Sequence, residues 1–195
     1  MKRILVLIGL TILVLSGSFA QEATWVADKA HTQVMFTISH LVIADVTGRF
    51  SDFDIILKQK DEDFSGSGLS AHIKTASVST DNDTRDGHLR SDDFFNAEKF
   101  PAITFEASSF EKVEKDRYKI TGDLTIRDVT RQVVLDTEYR GMVKGPSGKM
   151  RAAFKASVTI NRFDYEVMWN KTLDKGGLVV GEDVEINLLM ELIKQ

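Results

Sequence analysis

Apolar and polar residues alternate along most of the chain with a period of two, the spacing of a β-strand with one buried face. The first clear run is Gln33–Ser39, where Val34, Phe36 and Ile38 occupy every second position. Similar runs recur at 69–74, 103–108, 120–126, 133–135, 152–160 and 184–192. In the last run, every second residue from Val184 to Leu192 is apolar, which predicts one continuous buried face.

Residues that favour turns separate these runs. The predicted turns are Asp45–Gly48, Asp61–Gly68, Glu114–Asp116, Arg127–Arg131, Gly145–Gly148 and Lys175–Gly177. About eight short strands without long helices indicate an all-β fold. The pattern alone is compatible with either a closed antiparallel barrel or a two-sheet sandwich.

One stretch, Thr84–Lys99, interrupts the β pattern. Ser91 and Asp92 are candidate helix N-caps within it, so we predict a short helical segment near residues 86–98. A connection of this length inside a small β domain is usually functional and often covers a site.

The N-terminus has the features of a secretory signal peptide. Lys2 and Arg3 precede the apolar run Ile4–Leu15, and Ser18 and Ala20 supply the small residues of a cleavage site. An apolar run of about 12 residues is shorter than the roughly 20 that a membrane-spanning helix needs. The sequence therefore predicts export to the periplasm, or secretion, with cleavage after the last of these small residues.

These features divide the chain into a signal peptide, residues 1–20, and one domain, residues 21–195.

The whole chain has a formal charge of −4, and removal of the two basic N-terminal residues makes it more acidic still. Such a chain is atypical of nucleic-acid-binding proteins. It contains no cysteine, so no disulfide contributes to its stability. After cleavage we expect no stable membrane span.

Several motifs carry a resemblance to a known family. They are Asp28, His31, Val34–His40, Thr47–Phe50, Arg85–Phe95, Phe100–Phe105, Gly122–Thr130 and Asn161–Tyr165. Through them the chain from about Thr24 to its end resembles the YceI-like family of polyisoprenoid-binding, lipocalin-like periplasmic proteins. The resemblance implies an eight-stranded antiparallel lipocalin-like barrel whose apolar interior holds an isoprenoid or another long lipid chain.

The size of such a ligand can be bounded from affinity. Micromolar binding needs about 8 kcal/mol net, in addition to roughly 4–15 kcal/mol of association cost. At about 0.8 kcal/mol per buried methylene, roughly 15–29 carbons must be buried. The residues predicted to line the cavity are Phe36, Ile38, Phe50, Phe53, Ile103, Phe105, Phe154, Phe163 and Trp169. Arg85, His88 and Arg90 are the predicted head-group or loop residues, because a guanidinium matches phosphate oxygens.

The sequence indicates neither a metal site nor a cofactor. The histidines, His31, His40, His72 and His88, lack the close spacing of zinc ligands. A calcium loop fitted to 82–93 has unfavourable residues at several ligand positions. The chain also lacks a G-x-S-x-G motif, a cysteine nucleophile and a glycine-rich phosphate loop, so we predict that it is not an enzyme.

Two alternatives to lipid binding stay open at this point. One is a protein-interaction module whose barrel is filled by its own side chains. The other is an enzyme that acts on a bound isoprenoid or quinone. Because a closed barrel has no free strand edge, we expect a monomer or a weak dimer.

Overall fold

The computed structural model describes residues 22–172 and 178–195, so the predicted signal peptide and the predicted turn at Lys175–Gly177 lie outside the described residues. The described parts contain eleven strands and one α-helix. They are β1 Ala23–Ala27, β2 Gln33–His40, β3 Ala44–Phe50, β4 Phe53–Gln59, β5 Gly68–Lys74, β6 Val78–Ser79, α1 Asp83–Arg90, β7 Ala102–Lys112, β8 Arg117–Ile126, β9 Val129–Lys144, β10 Met150–Asn161 and β11 Val180–Lys194.

The strands form a closed antiparallel barrel with eight strand positions around its circumference, here called staves. Each of the first three staves is a pair of strands placed end to end: β1 with β2, β3 with β4, and β5 with β6. The strands β7 to β11 supply one stave each, and neighbours in sequence are neighbours in the ring. The long strand β11 closes the ring by pairing with both β1 and β2. The eight-stranded antiparallel barrel is thereby confirmed.

An aromatic cluster, here called the floor, fills the end of the barrel at which β1 begins and β11 ends. Phe64, from the loop between β4 and β5, packs against Trp25, Tyr139 and Phe154, with ring centroids 5.1–5.7 Å apart. The loop is held in place because the hydroxyl of Tyr118 donates a 2.5 Å hydrogen bond to the carbonyl of the residue before Phe64. Large rings packed in this way leave the floor closed.

A short helix lies at the opposite end. It spans Asp83–Arg90 and so begins and ends earlier than the predicted segment near 86–98. Its N-cap is Asn82, whose Oδ1 accepts a hydrogen bond from the Arg85 amide, whereas Ser91, predicted as an N-cap, ends the helix. In the described parts of the chain, no helix is long and apolar enough to cross a membrane.

One predicted turn is wrong. Asp45–Gly48 belongs to strand β3, and the chain reverses at Leu41–Ile43, where Leu41 and Val42 have left-handed backbone angles. Gly48 is required by close packing rather than by a turn, because a Cβ there would lie 2.2 Å from the ring of Phe36. Loops do lie at the other described turn positions, 60–67, 113–116, 127–128 and 145–149.

A charged cluster fastens the break between β1 and β2 to the end of β11. Arg151 donates hydrogen bonds to both Asp28 and Glu191, and His31 pairs with Asp28 at 3.0 Å. The carboxylates and the histidine are close enough for shared metal ligation, but the guanidinium already pairs with both acids. Hydrogen bonds from Arg151 and His31 lower the pKa of Asp28 from 3.8 to about 2.

This shift predicts acid sensitivity. Because the pKa of Asp28 is lower in the folded chain than in the unfolded chain, its stabilising effect is present above about pH 4 and is lost as the pH falls towards 2. We expect an Asp28→Asn variant to be less stable than the wild type at pH 7 and to converge with it near pH 2, as measured by urea unfolding. A stability difference that does not change with pH would contradict this assignment.

Candidate functional site

The barrel encloses an apolar cavity of about 160 Å³ between the floor and the helical end. All eight staves contribute to its lining, and almost all the lining side chains are aliphatic or aromatic. Among the described residues, the polar exceptions are Arg162 and Tyr165, which lie in a short 3-10 turn directly after β10. An apolar cavity of this size does not hold ordered water well and suits an apolar ligand.

A second space of about 190 Å³, here called the mouth, adjoins the cavity beneath α1. It shares several lining residues with the cavity, among them Phe36 and Leu89. Its rim is more polar and includes His40 and Arg85. The cavity and the mouth together form an apolar channel that becomes polar towards solvent.

The helix is fastened beside the mouth by a buried carboxylate. Asp86 is 3 % exposed and accepts hydrogen bonds from the amide of Thr80 at 2.8 Å and from its hydroxyl at 2.5 Å. These hydrogen bonds hold the pKa of Asp86 below its ordinary value, although burial acts in the opposite direction. The predicted connection therefore does cover the site, as a fixed cap rather than an open loop.

The predicted lining residues fall into three groups. Five line the cavity: Phe36, Ile38, Phe50, Ile103 and Phe105. Trp169 lines the mouth, where its ring packs against those of His88 and Phe94. The other three do not line either space: Phe53 is buried in the core, Phe154 belongs to the floor, and Phe163 stacks on Arg162.

The three predicted head-group residues lie in two different places. Arg85 and His88 line the mouth, whereas Arg90 donates hydrogen bonds to the carbonyls of Ala76 and Val78 and so fastens the helix to β6. Arg85 donates to Thr80 through Nε and Nη2, and its Nη1 has no partner among the described residues. Of the three, Arg85 is best placed to meet a polar group at the mouth.

Comparison with known proteins identifies the family. The model of the YceI-like domain matches residues 25–192, which is nearly the whole described chain. The chain belongs to the YceI-like family. The UPF0312 protein SAB2563 of Staphylococcus aureus (strain bovine RF122 / ET3-1) is 37% identical over 165 residues, covering 84% of this chain and 94% of that protein.

Solved structures share the YceI-like fold. A YCEI protein from Campylobacter jejuni is 38% identical and superposes with a TM-score of 0.69, covering 86% of this chain and 96% of its own. BcnA of Burkholderia cenocepacia superposes with a TM-score of 0.74 at 20% identity, covering 85% of this chain and 98% of its own. A polyisoprenoid binding domain from Saccharophagus degradans has a TM-score of 0.67 at 15% identity, covering 90% of this chain and all of its own.

In this YceI-like barrel, Arg162 holds one wall of the site together. It is 4 % exposed and donates hydrogen bonds to four backbone carbonyls, those of Val167, Trp169, Val180 and Gly181, at 2.6–3.4 Å. Burial lowers the pKa of its guanidinium below the ordinary value, but an arginine in a protein stays charged at neutral pH. The guanidinium therefore directs its hydrogen bonds to backbone carbonyl oxygens.

Sequence reasoning missed several lining residues. Ala71, Leu124 and Val158 line the cavity but are small or aliphatic, and the selection from sequence favoured aromatic side chains. In β11 the alternating pattern was enough to identify lining residues. Every second residue from Val184 to Met190 is apolar, and these residues line the cavity. The alternating pattern could not identify Tyr165, because this residue lies in a 3-10 turn outside the strands.

Proposed function

We propose that this protein is a periplasmic binding and carrier protein for a long apolar lipid, a polyisoprenoid, isoprenoid quinone or similar amphiphile, held inside the barrel. The observation that carries the proposal is the apolar channel formed by the cavity of about 160 Å³ and the adjoining mouth of about 190 Å³, because the cavity by itself is too small for a chain of the length inferred from affinity. Its lining offers extensive apolar contact and few polar groups, as a hydrocarbon chain requires. The fold shared with a polyisoprenoid binding domain supports the same ligand class.

The cavity also favours binding over a barrel filled by its own side chains. An unfilled apolar cavity costs about 24 cal/mol per Å³, which amounts to about 4 kcal/mol for the volume found here. A barrel that served only to present its rim to a partner would gain that stability by filling its interior with larger side chains. The open interior is easier to explain if a ligand occupies it.

A binding role is also favoured over catalysis. Within the described lining of the cavity, the titratable side chains are Arg162 and Tyr165. The arginine donates to four backbone carbonyls, and burial raises the pKa of the tyrosine to about 12, so the tyrosine keeps its proton at neutral pH and cannot accept one as a base. These two groups do not form the nucleophile and base pair that covalent hydrolysis requires.

Native mass spectrometry of the exported protein, followed by organic extraction and lipid analysis, tests the proposal. We expect a protein that begins at Gln21 and carries a discrete added mass matching a polyprenyl or quinone lipid. Recovery of that lipid unaltered after long incubation would support carriage rather than catalysis. A protein that stays ligand-free after exposure to such lipids would refute the proposal and favour the interaction module.

The mouth predicts how charged head groups are recognised. The Nη1 of Arg85 can donate to a phosphate oxygen, and charge-assisted hydrogen bonds of this type are strong. We expect Arg85→Ala to weaken binding of a polyprenyl pyrophosphate about tenfold, and to change binding of the matching polyprenyl alcohol little, in titrations of the purified protein. Arg140→Ala, at an exposed position on β9, is the control. An equal loss for both lipids would contradict a head-group role.

A further inference from the structure

One polar group in the described wall of the cavity has no hydrogen-bond partner among the residues that the structure describes. Tyr165 is one of the residues that line the cavity and is 1 % exposed, yet its hydroxyl makes no hydrogen bond to any described residue. Buried hydroxyl groups in native proteins are nearly always paired, and an exception calls for an explanation. The buried hydroxyl of Tyr118, by contrast, donates to the carbonyl of Asp63.

The unpaired group is a hydrogen-bond donor. Burial raises the pKa of Tyr165 to about 12, so the hydroxyl keeps its proton at any physiological pH. The other polar side chain of the lining, Arg162, directs Nε, Nη1 and Nη2 to backbone carbonyls. In the described part of the lining, Tyr165 is therefore the polar side chain whose hydrogen-bonding group has no partner at all, whereas Arg162 uses four of its five N–H groups.

We propose that Tyr165 donates a hydrogen bond to an uncharged acceptor oxygen of the bound lipid, such as a carbonyl, so that the preferred ligand carries such an oxygen inside the barrel. The proposal rests on the proposed lipid-binding function and narrows it from any apolar chain to an oxygen-bearing one.

The position of Tyr165 also orients the ligand. The 3-10 turn that carries it, Arg162–Tyr165, follows β10 at the helical end of the barrel, whereas the aromatic floor closes the other end. An oxygen bonded to Tyr165 therefore lies near the helical end. The hydrocarbon tail then extends towards the floor, between the aliphatic and aromatic side chains of the lining.

Binding of two matched probes to Tyr165→Phe tests the proposal. The probes are farnesylacetone, an isoprenoid ketone, and the hydrocarbon in which a methylene replaces its carbonyl. We expect the variant to bind the ketone about tenfold more weakly than the wild type does and to bind the hydrocarbon unchanged. In infrared spectra, the carbonyl band of the wild-type complex should lie at lower frequency than that of the variant complex.

Tyr139→Phe makes the same chemical change outside the cavity, because the Tyr139 ring packs in the floor against Phe64 and Phe154. It should leave both affinities and the carbonyl band unchanged. Thermal unfolding of ligand-free Tyr165→Phe gives a second readout, which does not depend on the probes. Loss of an unsatisfied buried hydroxyl should raise its melting temperature.

The outcomes separate the two proposals. If the wild type binds neither probe, lipid binding itself fails and this inference fails with it. If the wild type and Tyr165→Phe bind both probes equally, lipid binding stands and the inference is overturned. A lower melting temperature of the ligand-free variant would also overturn it, because the hydroxyl would then have a partner within the protein.

Discussion

An Ala71→Trp variant is expected to fold like the wild type and to bind long-chain lipids at least tenfold more weakly. Ala71 lies in the middle of β5, and its small side chain lines the cavity between Ile55 and Phe105 of the neighbouring strands. An indole at this position extends into space that the ligand would otherwise occupy. Each methylene it displaces removes about 0.8 kcal/mol of burial, so two displaced methylenes already exceed a tenfold loss.

The adjacent residue supplies a matched control. His72 is exposed and points to the opposite face of β5, so His72→Trp adds the same indole outside the barrel. The affinity for geranylgeraniol, measured by titration, should be at least tenfold weaker in Ala71→Trp and unchanged in His72→Trp, while both variants unfold at similar temperatures. Ile103→Trp on β7 blocks the same space from another strand. Undiminished affinity in both inward-facing variants would mean that lipids bind elsewhere.

The barrel could be predicted because its strands have one face towards an apolar interior. That arrangement leaves a period-two pattern, and the pattern in β11 identified correctly which residues point inward. The closure of eight staves and the lipid class came from the family resemblance rather than from periodicity. Alternation alone did not distinguish a barrel from a sandwich, since both bury one face of each strand.

The errors have local physical causes. Asp45–Gly48 has the composition of a turn, but Gly48 serves close packing against Phe36, a contact between strands that no local pattern reveals. The true turn at Leu41–Ile43 has apolar residues in left-handed conformations, which turn preferences disfavour. Selection by aromatic character likewise assigned Phe154 to the cavity, although Phe154 packs against Phe64 of a distant loop to form the floor.

Replacement of Arg162 by methionine should be the most destabilising of the changes considered. The substitution removes the donors for four backbone carbonyls: that of Val167, which lines the cavity, those of Trp169 and Val180, which line the mouth, and that of Gly181. Removing a buried charge recovers part of the loss, because that charge was costly to desolvate. We expect a net destabilisation of about 2–4 kcal/mol and a melting temperature lower by about 5–15 °C.

Arg140→Met, at an exposed position on β9, should change the melting temperature by no more than a degree or two. Arg162→Lys keeps the charge but loses the planar fork that reaches several carbonyls, so its melting temperature should fall between those of the wild type and Arg162→Met. Equal stability of Arg162→Lys and the wild type would show that charge, rather than hydrogen-bond geometry, holds the wall. Because Val167 and Trp169, whose carbonyls Arg162 holds, line the site, faster lipid release should accompany the loss of stability.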